Sequence, residues 1–286
     1  MTAVLIMAGL VASWGELLPT PLETPSFGTE RSSRHAGEPA LALTGSRPND
    51  VVDYEEWFAD KFDWPSITYH NGGVNDAIRG GEPPRGIDRV LRTPGEGRFH
   101  LYQIIIGDEA VLAVYGSPPN RFGVVLDPRL LVVLDPETGA VEHVLDFLTY
   151  CEGPVYPGLD ESVVFQQIRW AEVHDGILYV SNAHRTYAES SRGSNAYITA
   201  IDLATYEVLW RSRPLVANAE NFLVTGDTII SGYGFTDEDD FLYVLDRRTG
   251  EVMYDIEVPS SPEYLYTADG MLYVRCYDTD LAYEFR

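Results

Sequence analysis

One short segment recurs along this chain and constrains its fold more than any other feature: "LVVLDPETGAV" from Leu131, "ITAIDLATYEV" from Ile198 and "LYVLDRRTGEV" from Leu242. Each reads strand, turn, strand. Alternating β-branched or large apolar side chains make a half-buried strand. The Asp caps the reversal with its own carboxylate, and Gly139 and Gly250 supply the positive φ needed to leave it. Tyr206 stands at the third glycine position, so an altered turn is expected there.

A second signal goes with these segments: "GDEAVLAVYG" from 107, "HDGILYVSN" from 174, "GDTIISGYG" from 226 and "DGMLYVRCYD" from 269 each place a tight polar turn before an alternating apolar strand. The unit is therefore two consecutive hairpins, or four antiparallel strands. Four strands recurring at about 40 residues or more is the pattern of a β-propeller, whose blades bury their faces against one another. The expected fold is all-β, a propeller of four-stranded antiparallel blades, with five as the central count and four to seven open. The blades are expected over 98–286. The last unit ends at "LAYEFR", one strand short, and "ALALTG" at 40–45 is the expected strand that completes it. The rest of the N-terminal part, 40–97, is irregular, with "YEEWFADKF" at 54–62 as a short helix.

"LYVLDRRTGEV" and "ITAIDLATYEVLW" resemble the blade motif of quinoprotein-like propellers (PQQ-like repeat), which runs strand, Leu-Asp, Thr-Gly, strand, Trp. From about 164 to 286 the chain is also similar to bacterial proteins carrying such repeats. Trp210 matches the motif's docking Trp, whereas His143 and Tyr254 replace it in neighbouring units. The resemblance implies a fold and no particular function. Many quinone-dependent dehydrogenases of this fold place two adjacent cysteines beside the cofactor. This chain has no Cys-Cys pair, so PQQ is not expected, nor is any other organic cofactor.

The formal charge of −24, from 44 acidic and 20 basic residues, argues against nucleic acid or an anionic membrane as partner, since both need clustered cations. The apolar stretch Ala3 to Ala12 is too short to span a bilayer and fits the core of a secretion signal, although no Lys or Arg precedes it. Residues 1–14 are read as a signal segment and 15–39, rich in Pro, Ser and Thr, as a disordered tether. An exported protein follows, periplasmic or extracellular, with no membrane insertion of the mature chain. The alternative is a buried N-terminal strand in a cytoplasmic protein. Cys151 and Cys276 allow one disulfide or two free thiols.

The chain lacks HExxH, GxSxG, Walker and CxxC motifs. The acidic run with Asp237, Asp239 and Asp240 is followed at once by Phe241 and lacks the alternating ligand spacing of a calcium loop. It reads as a solvated loop, with calcium as the alternative. The first strands of the units line the channel in a propeller, so "QIRWAEV", "NAENFLV" and "SPEYLYT" bring Arg169, Trp170, Glu172, Glu220, Asn221, Glu263 and Tyr264 toward the axis. With Asn218, Tyr233, Arg275 and Tyr277 these make the candidate ligand-binding set, suited to a sugar, peptide or metal. The alternative is that they satisfy one another. The polar loop from His184 to Asn195 is expected to present recognition side chains, and His174 and His184 read as surface or capping residues. The expected function is a non-catalytic binding or scaffold propeller of the bacterial cell envelope, recognising a protein or glycan. The alternative is a polysaccharide hydrolase or lyase using Glu172, Glu220 and Glu263, one as general acid and another as base or nucleophile. A third reading gives the acidic surface itself a structural role.

Overall fold

The structure is a computed structural model that describes residues 20–22, 40–48, 99–117, 126–153, 157–158 and 163–286. The expected signal segment and the helix at 54–62 lie outside these residues. Four sheets, each built on four antiparallel strands, form the blades of a β-propeller among the described residues, and the first sheet carries one further short strand at its edge. The first blade contains β3 (His100–Ile106), β4 (Val111–Ser117), β5 (Leu126–Leu134) and β6 (Val141–Asp146). The second contains β7 (Gln167–His174), β8 (Ile177–Ala183), β9 (Tyr197–Asp202) and β10 (Val208–Arg211). In the third are β11 (Leu223–Thr225), β12 (Thr228–Tyr233), β13 (Phe241–Asp246) and β14 (Val252–Glu257). The fourth holds β15 (Pro262–Ala268), β16 (Met271–Cys276) and β17 (Thr279–Phe285), completed by β2 (Leu41–Pro48) from the N-terminal side.

Stacking of blades explains the burial pattern. Six of seven residues in β4 are buried, because a middle strand is covered on both faces, whereas β14 and β2 expose residues at the outer edge. One hydrophobic cluster links the first three blades and a second links the third and fourth. Cys151 lies in the former and Cys276 in the latter, both as free buried thiols pushed up in pKa by burial. They form no disulfide.

β2 runs antiparallel to β17 from Leu41 opposite Phe285 to Pro48 opposite Thr279, and the Arg286 amide donates to the Ala40 carbonyl at 2.8 Å. Another pairing falls within the stretch 15–39 read as a disordered tether, of which residues 20–22 are described. Thr20–Pro21 forms β1, parallel to β6, and Leu22 is buried in the main core. The tether is docked at that point because Leu22 finds apolar cover and the open edge of β6 supplies a partner.

The three Asp turns have one geometry. In each, the first carboxylate oxygen accepts two following backbone amides: Glu137 and Thr138 at Asp135, Ala204 and Thr205 at Asp202, Arg248 and Thr249 at Asp246. Contrary to expectation, the turn at Tyr206 is not altered. Its φ of 62° matches Gly139 at 67° and Gly250 at 73°. The reason lies in the neighbouring blade, where the Tyr206 hydroxyl meets His143 Nδ1 at 2.8 Å with the rings edge-on. At the next interface the sizes are reversed. Trp210 lies over Gly250 and donates its indole N–H to the Arg247 carbonyl at 3.1 Å. A large docking side chain faces glycine, and a smaller one faces tyrosine.

Candidate functional site

The first strand of each blade runs between two openings of the channel, and irregular backbone aims side chains at the opening where these strands begin. β3, β7 and β15 each shift register within their first three residues, leaving Tyr102, Arg169 and Glu263 as the extra residues. A bulge adds one residue to one strand and re-aims its side chain. In the third blade β11 is short, and Glu220 lies in the irregular segment before it, its amide donating to the Glu263 carbonyl at 2.8 Å. The second, third and fourth blades thus line one mouth, and Tyr102 of the first reaches it through Arg185.

This mouth is a cavity of about 210 Å³ lined by Arg169, His184, Arg185, Asn218, Glu220, Phe235, Ser261 and Glu263, among others. The Arg169 guanidinium is 7% exposed and forms an ion pair with the Glu220 carboxylate. Arg185 donates to the Tyr102 hydroxyl at 2.9 Å. Burial pushes the Tyr102 phenol up in pKa, against the opposing influence of Arg185 and Arg169. Sequence reasoning missed Tyr102, because a bulge in an apolar strand leaves no mark in its residue types. His184 is the other departure. It is buried against Ser191 Oγ at 2.7 Å, and burial lowers its pKa to about 4, so the ring is neutral at pH 7. It is therefore neither a surface nor a capping histidine.

The loop that follows His184 divides its side chains. It folds inward through a short 3₁₀ turn at Ala188–Ser191, burying Ser191, Ser194 and Asn195, and leaves Glu189 and Arg192 exposed. Hydrogen bonds win here: Asn195 Oδ1 accepts the His184 amide at 2.8 Å, and burying these groups unpaired would cost more. Arg185 and Tyr187 remain exposed. Tyr187 packs edge-on against Phe235 of the mouth, and Tyr277, 74% exposed, donates its backbone amide to the Ser261 carbonyl at 2.9 Å.

The other candidates separate into two groups. Trp170 and Glu172 face a second cavity where the inner strands end, so Glu172 does not join Glu220 and Glu263 in one site. Asn218 joins the mouth but is held by Gly234, whose carbonyl accepts from Nδ2 at 2.6 Å. Asn221 uses both ends of its amide on the Leu265 backbone, and Arg275 is buried with Asp280 at 3.0 Å. Tyr264 is buried, and the Tyr233 hydroxyl donates to Glu238. These four position blades.

The acidic run is partly structural as well. Glu238 also accepts the Ala188 amide of the second blade at 2.7 Å, while Asp237 and Asp239 are exposed. Among the described residues no three acidic, His or Cys side chains are placed to hold a metal ion. Asp240 is half-buried, and its Oδ1 has no hydrogen-bond partner among the described residues. Burial first, then the charges of Asp239, Asp278 and Glu238, raises its pKa to about 6. A carboxyl whose folded pKa exceeds its unfolded value binds protons more readily when folded, so ionisation lowers stability as pH rises from about 4 to 6. Asp240→Asn is expected to raise Tm at pH 7.5 and give no gain at pH 4. Thermal melts at the two pH values check this, and no gain at pH 7.5 contradicts it.

No family model and no curated protein matches the chain. Similar solved structures include BamB from Moraxella catarrhalis, 14% identical over 64% of this chain and 69% of that one, with a TM-score of 0.32. Sqt1 from Saccharomyces cerevisiae is 13% identical over 66% of this chain and 47% of its own, with a TM-score of 0.43. A quinohemoprotein alcohol dehydrogenase from Pseudomonas putida is 13% identical over 65% and 38%, with a TM-score of 0.35. The chain spans less than half the length of the last two. Likeness at this level assigns no activity.

Proposed function

We propose that the chain is a non-catalytic binding propeller of the bacterial cell envelope, and that its partner is a protein recognised at the mouth where the inner strands begin. The observation that carries this reading is an aromatic rim beside Arg185, made of the exposed Tyr187 and Tyr277 and the half-buried Phe235. Tyrosine and arginine are enriched among the residues that dominate interface energetics, tyrosine because it buries a large area with few rotamers and keeps a polar tip, arginine because its planar fork donates several hydrogen bonds at once. The envelope location rests on the apolar segment Ala3 to Ala12. Among the described residues no helix is long and apolar enough to cross a membrane.

Capture from envelope fractions should compare the wild type with Tyr187→Ser/Phe235→Ala and with Leu209→Ser, which alters an exposed residue on an outer edge strand. One specific protein retained by Leu209→Ser and lost by the rim variant supports the reading. Retention by both variants overturns the site, and binding to an oligosaccharide panel in place of a protein changes the partner class. Glu220 and Glu263 share the mouth, which is the observation favouring a polysaccharide hydrolase or lyase. Polymer turnover lost in Glu220→Gln or Glu263→Gln would establish that instead.

A further inference from the structure

We infer that the cavity where the inner strands end is a binding site for a small organic cation, an ammonium group carried on a compact apolar body. Its volume is about 240 Å³. A dry cavity of roughly 150 Å³ already admits benzene, and sites for larger ligands start near 300 Å³, so an occupant of one ring with a short chain fits. Ile104, Ile106 and Leu112 of the first blade, with Leu223 and Val224 of the third, make apolar walls. The second blade supplies the polar side.

There Glu172 is held at both oxygens, by the Trp170 indole N–H at 3.0 Å and by His174 Nε2 at 2.9 Å. The Glu172 side chain is 19% exposed. One bond at each oxygen leaves further lone pairs of the carboxylate to accept from a ligand. The surrounding charge is negative. Asp108 lines the cavity and Glu109 acts on His174, while Arg247, the nearby cation, is paired with Asp175. An anionic ligand would meet two carboxylates, Asp108 and Glu172. A metal ion would find no cluster of ligands among the described residues and would lose its water to hydrocarbon walls. An ammonium on an apolar body answers both parts of the site.

Phenethylamine, 3-phenylpropionate and propylbenzene, titrated into the full chain by calorimetry and followed by tryptophan fluorescence, separate the options. The amine is expected to bind about tenfold tighter than the neutral hydrocarbon, a difference of about 1.4 kcal/mol. Glu172→Gln should abolish that preference and leave hydrocarbon binding within about twofold. His174 holds its proton more tightly because of Glu172, so amine affinity should rise from pH 6 to 8.5 as that proton leaves. Thr225→Phe, which narrows the cavity without touching Glu172, should weaken every probe. Equal binding of amine and hydrocarbon, preference for the carboxylate, or no binding by any probe at about 10 mM overturns the inference, and the wild-type comparison needs no variant to fold.

Discussion

Replacing Gly250 by Ala is expected to destabilise the protein by about 3 kcal/mol, the sum of roughly 1 for a left-handed L residue and 1 to 3 for overpacking. In a domain of this size that lowers Tm by about 6 to 12 °C. Two effects compete for the explanation, and the structure separates them. Tyr206 already holds φ at 62° in the equivalent turn, so torsion alone is tolerated. The decisive contact is Trp210: a methyl on Gly250 would come within 2.8 Å of Cδ2, inside the closest approach of two carbons. Thermal and denaturant melts of Gly250→Ala in wild-type and Trp210→Ala backgrounds give the coupling. The Ala substitution should cost at least about 1 kcal/mol less where the indole is gone. Equal costs in both backgrounds would show that the indole contact is not what matters.

The second large effect concerns Arg169. Its substitution by Met leaves the Glu220 carboxylate, 20% exposed, beside an apolar group in place of a cation. Removing one partner of a mostly buried pair leaves an uncompensated charge, at a cost of about 3 kcal/mol. Adding Glu220→Met should recover part of this, because two apolar groups need no counter-charge. A double-mutant cycle by urea unfolding is expected to show coupling of at least about 1 kcal/mol. Additive losses would mean that the pair is solvated and contributes little to holding the second and third blades together.

The repeats made the fold legible, since an Asp turn between alternating strands is local chemistry, and its side-chain bonds recur at Asp135, Asp202 and Asp246. The first-strand comparison also brought Arg169, Glu220 and Glu263 to one mouth. It could not separate Glu172 from them, because period-two reasoning tells which face a side chain takes and not how far along the channel it lies. Nor could it find Tyr102, whose placement depends on a bulge. The pairing of His143 with Tyr206 was out of reach for another reason. Each looks like a defect in its own repeat, and only contact between blades shows that the two departures fit each other.

The partnership of β2 with β17 joins segments at opposite ends of the described chain, and Thr44 Oγ1 donates to the Ala282 carbonyl across 238 positions. Contacts of such separation form late, because the loop entropy is lost before they return anything. During synthesis the strand at 41–48 must wait, unpaired, until the ribosome has released residues 279–285. The second blade completes its own sheet at Arg211 and the third at Glu257, both before β17 is made, so the strand at 41–48 stays an open edge for most of elongation.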